Sequence, residues 1–261
     1  MDRTTQMQFE QQLDADVSMW SLESLQQHGF MMVKHVFEDD AVRTIADQLD
    51  VALRSFNEQS ILRSRGQTYG SRNLLDVLPT LANVVMASPL SRLATLVLGD
   101  DVGIVRVLYF DKPPGRSWSV PWHKDQTIAV KSIDQPSTAF FKPTVKAGVP
   151  HVEAPTWLLE KMLTLRIHLD AMNADNGPLS VIPGSHGSHE NELAEPVELH
   201  ADAGDVKLAM RPLLSHASTL SRAGIAAHRR VIHIELAGTA ELPDGYEWHS
   251  FVRLNNGGHA R

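Results

Sequence analysis

The sequence predicts a mainly β protein with flanking helices: a double-stranded β-helix, the cupin-type jelly roll, carrying an N-terminal helical layer. Three observations predict it. Ahead of about residue 100, apolar side chains recur at three- and four-residue spacing, the period of half-buried helices. From about residue 103 the texture changes to short alternating runs separated by Gly, Pro, Asn and Asp. Two of these runs, residues 163–169 and 228–236, put apolar residues on one face and polar ones on the other, as a sheet between helices and a chamber would. No internal repeat or linker divides residues 19–261, so we read one domain behind a polar tail at residues 1–18.

In order along the chain, residues 20–27 read as a helix, closed by Gly29 where a C-cap residue belongs. Residues 39–56 carry Val42, Ile45, Leu49 and Leu53 on one stripe, with Asp39 and Asp40 at the end where the helix dipole favours acids. Residues 88–98 repeat the stripe in Leu90, Leu93, Ala94, Val97 and Leu98, and stop at Gly99. Residues 105–110 follow as a strand, ended by the breaker run Asp111-Lys112-Pro113-Pro114-Gly115.

Residues 126–162 interrupt the strands. Phe140-Phe141-Lys142-Pro143 and Val149-Pro150-His151 read as loop, and residues 156–162 as a short helix. A structureless stretch of this length is expected to be functional, and we expect a lid insert that keeps water from an active site. Residues 163–169 then alternate, with Thr164, Arg166 and His168 sharing a face. With the apolar face against the helices, Arg166 points into the barrel, where it can meet an acid group of a substrate.

The chemistry centres on Trp122-His123-Lys124-Asp125. In extended backbone, residues two apart point the same way, so His123 and Asp125 converge on one point. Two ligands make a poor metal site, and His216, 93 residues after His123, offers a third. Two histidines and one carboxylate leave open positions on the metal, the arrangement of non-haem ferrous oxygenases, which fill them with a cosubstrate and dioxygen. Beyond His216 come His228-Arg229-Arg230, at the mouth of an alternating strand. An arginine there can fork onto the far carboxylate of a small dicarboxylic keto acid. Arg229 and Arg230 are alternatives on opposite faces. Arg229 shares its face with Val231, His233 and Glu235, and Arg230 shares the apolar face of Ile232, Ile234 and Leu236, so the strand alone leaves both open. His151 on the insert and Trp122 beside the His-x-Asp pair are further candidates to touch substrate, and Trp118 is another candidate wall residue.

These motifs resemble the phytanoyl-CoA dioxygenase-like family of iron and 2-oxoglutarate-dependent oxygenases, over roughly residues 20–250. Leu25-Gln26-Gln27-His28-Gly29-Phe30-Met31-Met32-Val33 looks like the family's opening helix, Gly-Phe and strand, and Trp122-His123-Lys124-Asp125 is similar to its His-x-Asp. Asp175-Asn176-Gly177-Pro178-Leu179 and Ile182-Pro183-Gly184-Ser185-His186 resemble its Asn-Gly and Pro-Gly-Ser-His turns. Gly204-Asp205-Val206, His216-Ala217-Ser218 and His228-Arg229-Arg230 follow in the family's order. The resemblance implies Fe(II) on His123, Asp125 and His216, with Arg229 and Ser218 holding the distal carboxylate of 2-oxoglutarate. It further implies hydroxylation of a small molecule by dioxygen with release of succinate. Halogenating relatives replace the carboxylate ligand by a small residue; Asp125 argues against that chemistry here.

Composition bounds the rest. At 261 residues, 43% hydrophobic and 21% charged, the chain is long enough for a sizeable core. A formal charge of −7 without a basic block argues against a nucleic-acid partner. The absence of cysteine excludes disulfides, thiolate metal sites and thiol nucleophiles. No signal-peptide core and no membrane-spanning run is legible, so the expected location is the cytoplasm. Two rival readings predict different behaviour. A cupin-like metalloenzyme that does not use 2-oxoglutarate needs only the three ligands, and Arg229 is then dispensable. A non-catalytic binding protein on this scaffold would ordinarily have lost a ligand.

Overall fold

A computed structural model describes residues 22–33, 36–55, 59–64, 67–86, 89–187, 194–203 and 206–254. The expected tail at 1–18, the start of the first helix, Phe56, Ser88 and Gly204-Asp205 lie outside them. Helix α1 (Leu22–His28) leads into β1 (Phe30–Val33), and α2 (Asp39–Ser55) follows. Strands β2 (Ile61–Ser64) and β3 (Gln67–Ser71) precede three more helices, α3 (Leu74–Val77), α4 (Leu81–Met86) and α5 (Pro89–Leu98). The remaining chain is mostly strand: β4 (Gly103–Asp111), β5 (Val120–His123), β6 (Thr127–Ala129), β7 (Phe141–Lys146) and β8 (Val149–Glu153). After α6 (Thr156–Leu159) come β9 (Met162–His168), β10 (Leu179–Val181), β11 (Val197–Leu199), β12 (Val206–Met210), β13 (His216–Ser218), β14 (Arg230–Ala237) and β15 (Val252–Arg253).

The strands form two facing antiparallel sheets, the jelly roll the sequence predicts. The larger runs β1-β12-β9-β14-β4-β3-β2, with β15 added beside β4, and the smaller runs β11-β10-β13-β5. Alternation decides what each face of the large sheet meets. Leu163, Leu165 and Ile167 of β9 and Ile232, Ile234 and Leu236 of β14 are buried in one cluster with Val42, Ile45, Leu49, Leu53, Leu90 and Leu93 from the helices. Burying each such side chain is worth about 1.5–3 kcal/mol, so this seam between helices and sheet dominates the fold. The opposite face carries Arg166, His233 and Glu235, an arrangement that makes sense only around a polar chamber.

The reading of residues 126–162 as structureless is corrected. Strands β6, β8 and β7 make a third, three-stranded antiparallel sheet. Residues Lys146 and Val149 are paired across a two-residue loop in which Ala147 and Gly148 both have positive φ, 51° and 78°. That is the geometry of a tight hairpin turn, made without the Asn-Gly signature that would have announced it. The sheet is anchored by its own core, in which Ile128, Val130 and Val152 pack with Phe140, Leu158, Tyr246 and Trp248. Strands β2 and β3 and helices α3 and α4 were also not anticipated; they are short, and none spans enough residues to show a period. Among the described residues no helix is long and apolar enough to cross a membrane.

Candidate metal centre and its cavity

Strands β5 and β13 pair antiparallel with His123 directly opposite His216, which brings two residues distant in sequence face to face. Their ring centroids lie 4.2 Å apart. The Nδ1 of each ring sits 2.8 Å from a carbonyl two residues back, Pro121 O for His123 and Leu214 O for His216. With Nδ1–H donating there, the lone pair is left on Nε2, the tautomer a metal requires. Both Nε2 atoms face Asp125, at 3.9 Å (His123 to Oδ1) and 3.6 Å (His216 to Oδ2). Strand β5 ends at His123, so Asp125 is not held by strand pairing. Its amide instead donates to Pro212 O at 2.9 Å, which turns the carboxylate back onto the histidines.

Ligand atoms of His123, Asp125 and His216 all lie within 4.8 Å of one another. Donors each about 2 Å from one ion stand about 3–4 Å apart, so this set closes on a metal with small movements. Burial, and next the charge of Arg166, push His216 down to about 4, which keeps the ring neutral and able to ligate. His216 is 2% exposed while Asp125 and His123 are about one-third exposed, so the centre opens to one side.

That side is a cavity of about 440 Å³ between the two sheets. Arg229 lines it, buried, while Arg230 faces the other way and forks onto Asp170 at 2.9 Å through both Nε and Nη2. Arg166 lines it as well. Among the described residues, the buried Nε atoms of Arg166 and Arg229 have no hydrogen-bond partner. Burial lowers both guanidinium pKa values only to about 10, so two charged, under-satisfied donors face the cavity. A dicarboxylate chelating a metal at the triad would supply what they lack, and the residues present fit both iron and 2-oxoglutarate. Ser218 is in the wall too.

Two sequence candidates lie elsewhere. Trp122 is 45% exposed and is not among the cavity residues, because alternation along β5 turns it outward; Trp118 stands in the wall instead. His151 is buried behind the cavity, its Nε2 2.8 Å from Arg106 Nη1.

Other residues went unread. Lys112 is almost wholly buried beside Ser218, its Nζ donating to Thr219 O at 2.6 Å. Burial and then Arg229 push its ammonium down to about 7. Gly177 is required there: a Cβ would stand 2.8 Å from that Nζ and 2.6 Å from Thr219 O. Arg106 pairs with Glu235 through both Nη2 (2.5 Å) and Nε (2.8 Å), and both line the cavity. A lone arginine inside the apolar run 105–110 was the available signal; Arg72 and Lys146, also in the wall, offered none.

The turn motifs act as braces. Ser185 Oγ accepts the amide of Ser215, and Lys124 points away from the metal to donate to Ser185 O, so the Pro-Gly-Ser-His turn fixes the approach to His216. His186 hydrogen-bonds Gln26 O and fills the space a Cβ on Gly29 would occupy, which docks this turn on the Gly-Phe segment.

The family model for phytanoyl-CoA dioxygenase (PhyH) matches residues 25–249, which contain all of these features. The chain belongs to the phytanoyl-CoA dioxygenase family. A curated relative, the ectoine dioxygenase of Bordetella bronchiseptica, is 24% identical over 170 residues, 63% of this chain. The chain spans about half the length of that relative, 48% of it. Similar solved structures include AviO1 from Streptomyces viridochromogenes Tue57, with 20% identity, TM-score 0.60, and 85% of this chain and 95% of that one covered. The non-haem alpha-ketoglutarate-dependent carbocyclase SnoK of nogalamycin biosynthesis has 14% identity and TM-score 0.62, with 86% of both chains covered. EctD from S. alaskensis, solved with 2-oxoglutarate and 5-hydroxyectoine, has 17% identity and TM-score 0.61, with 83% of this chain and 74% of that one covered. At these identities the likenesses establish the shared fold of the phytanoyl-CoA dioxygenase family.

Proposed function

We propose that this protein is a non-haem Fe(II) and 2-oxoglutarate-dependent dioxygenase that hydroxylates a small molecule. One observation carries the reading: an under-satisfied buried guanidinium, Arg229, shares a cavity with two outward Nε2 atoms and a carboxylate. His123, Asp125 and His216 hold the iron. Arg229 and Ser218 hold the distal carboxylate of 2-oxoglutarate, with Lys112 bracing the strand that carries Ser218. When bound, iron would activate dioxygen, the oxidant, with 2-oxoglutarate giving up two electrons: one oxygen atom would end in succinate as carbon dioxide leaves, and the other in a substrate C–H bond as hydroxyl. The sheet residues around the cavity exclude water and orient the C–H bond. Asp125 occupies the position a halide would need, which favours hydroxylation. A cavity of about 440 Å³, shared with the cosubstrate, suits a small metabolite better than a whole acyl-CoA thioester.

The metal assignment is tested by elemental analysis of protein loaded anaerobically with ferrous iron. Wild type should hold stoichiometric iron, and His123→Ala should hold almost none while keeping the far-ultraviolet circular dichroism of wild type. Stoichiometric iron in a folded His123→Ala variant would refute the triad. Incubation with 2-oxoglutarate and dioxygen should release succinate from wild type only.

A further inference from the structure

Strands β14 and β4 set the two ends of the cavity. Arg229 precedes β14 and is backbone-paired with Lys112, just beyond the end of β4. Glu235 lies six residues further along β14, opposite Arg106. At 3.3 Å per residue these sites are about 20 Å apart. Arg166, paired on β9 with His233, lies between them, and His123, Asp125 and His216 line the same cavity. A cosubstrate stretched from Arg229 to the triad therefore leaves the Arg106 end vacant for substrate.

That end carries three cations, Arg72, Arg106 and Lys146, beside Glu235, and Asp125 is the other carboxylate of the wall. Arg106 is fully engaged, with Glu235 on Nε and Nη2 and His151 on Nη1. Lys146 reaches only the hydroxyl of Thr127, at 3.0 Å, and Arg72 makes no side-chain hydrogen bond or ion pair among the described residues. Both are half-buried, and Arg106 weakens the charged form of each. Unpaired, mutually repelling cations in a partly dehydrated wall are costly unless an anion arrives.

We propose that the substrate carries an oxyanion, a carboxylate or a phosphate, which Arg72 and Lys146 bind at the end of the cavity remote from Arg229. The inference rests on the oxygenase reading, since the cosubstrate is what occupies the other end. It also gives the sheet β6-β8-β7 a role, because Lys146 belongs to β7: the insert supplies half of an anion site.

The test uses protein loaded anaerobically with ferrous iron and saturating 2-oxoglutarate, whose visible charge-transfer absorption reports the chelate. Benzoate, phenyl phosphate and neutral benzamide are titrated by calorimetry. Two charge-assisted contacts predict that at least one anion binds wild type roughly tenfold or more tightly than benzamide. In Arg72→Gln/Lys146→Gln that preference should vanish while the charge-transfer absorption is unchanged; Arg72→Lys should keep part of it. The better-bound anion identifies carboxylate or phosphate. Equal binding of all three probes to wild type would overturn the proposal, as would an undiminished preference in the double variant. Failure of the charge-transfer absorption to appear in wild type would count against the reading of the metal centre. The probe titration and its dependence on Arg72 and Lys146 still decide the anion site in that case, because neither needs turnover.

Discussion

Arg229 and Arg230 are chemically identical neighbours, yet one residue of strand register separates a cavity cation from a structural one. Arg230 is well paired: Asp170 accepts from its backbone amide at 2.8 Å as well as from its guanidinium. Among the described residues, the side chain of Arg229 has a long contact to Met172 Sδ at 3.7 Å and an unpartnered Nε. Removing a buried contact to a carboxylate costs on the order of 2–5 kcal/mol, so Arg229→Ala should raise the 2-oxoglutarate requirement for succinate release about thirtyfold or more. Arg230→Ala should leave that requirement nearly unchanged and instead lower thermal stability, by about 1–3 kcal/mol, through the stranded Asp170. Succinate assays at varied 2-oxoglutarate, beside melting curves of both variants, check the ranking; the reverse order would put the cosubstrate on the other face of the strand.

At the scale of elements, the pair Arg106–Glu235 ties four strands of two sheets together. It bridges β4 and β14, and through His151 and Thr127 O it reaches β8 and β6 of the insert. Both side chains are about 10% exposed. Taking away one partner leaves a buried charge alone, so Arg106→Met should cost about 3–5 kcal/mol and also loosen the insert. Arg106→Met combined with Glu235→Leu should recover most of that loss, since an apolar pair removes the unpaired charge. Urea titrations of the single and double variants measure the recovery. A double variant no more stable than Arg106→Met would show that the pair holds the insert by geometry and not by charge balance.

For the whole molecule, a chamber lined with buried histidines sets an acid limit. His151 is held down to about 4 by burial and then by Arg106. His216 is held at about 4 and His233 well below its usual range, in each case by burial and then by Arg166. The folded protein keeps these rings neutral where the unfolded chain, with ordinary values near 6.5, takes up protons. Their effect is therefore a stability that is full above about pH 6.5 and declines as pH falls toward 4. Metal-free protein should lose stability across that window, by on the order of 3 kcal/mol for each ring held at about 4, read as a falling urea midpoint. His151→Gln should make the decline shallower without touching a metal ligand. A midpoint flat between pH 6.5 and 4.5 would show that these rings are already charged in the fold.

The helices α2 and α5, the strands β4, β9 and β14 and the inward parity of Arg166 were legible in the sequence. Each is a long run in which burial on one face writes a period into the residues. The proposed order His-x-Asp, distal His, Arg was readable as well, from residue types suited to iron ligation and from the family resemblance. The tertiary structure alone decided the rest. Pairing of β5 with β13 set His123 against His216; a backbone bond to Pro212, not strand alternation, aimed Asp125. The insert took form as a sheet around a hairpin whose turn carries no Asn-Gly signal, and its core borrows Tyr246 and Trp248 from beyond β14. Arg72 and Lys146 sit 74 positions apart on segments with no shared period, and meet only because folding closes a cavity between them. Period and residue type are local properties that one strand or helix can display; which charges share a chamber depends on contacts between distant segments, which no local pattern records.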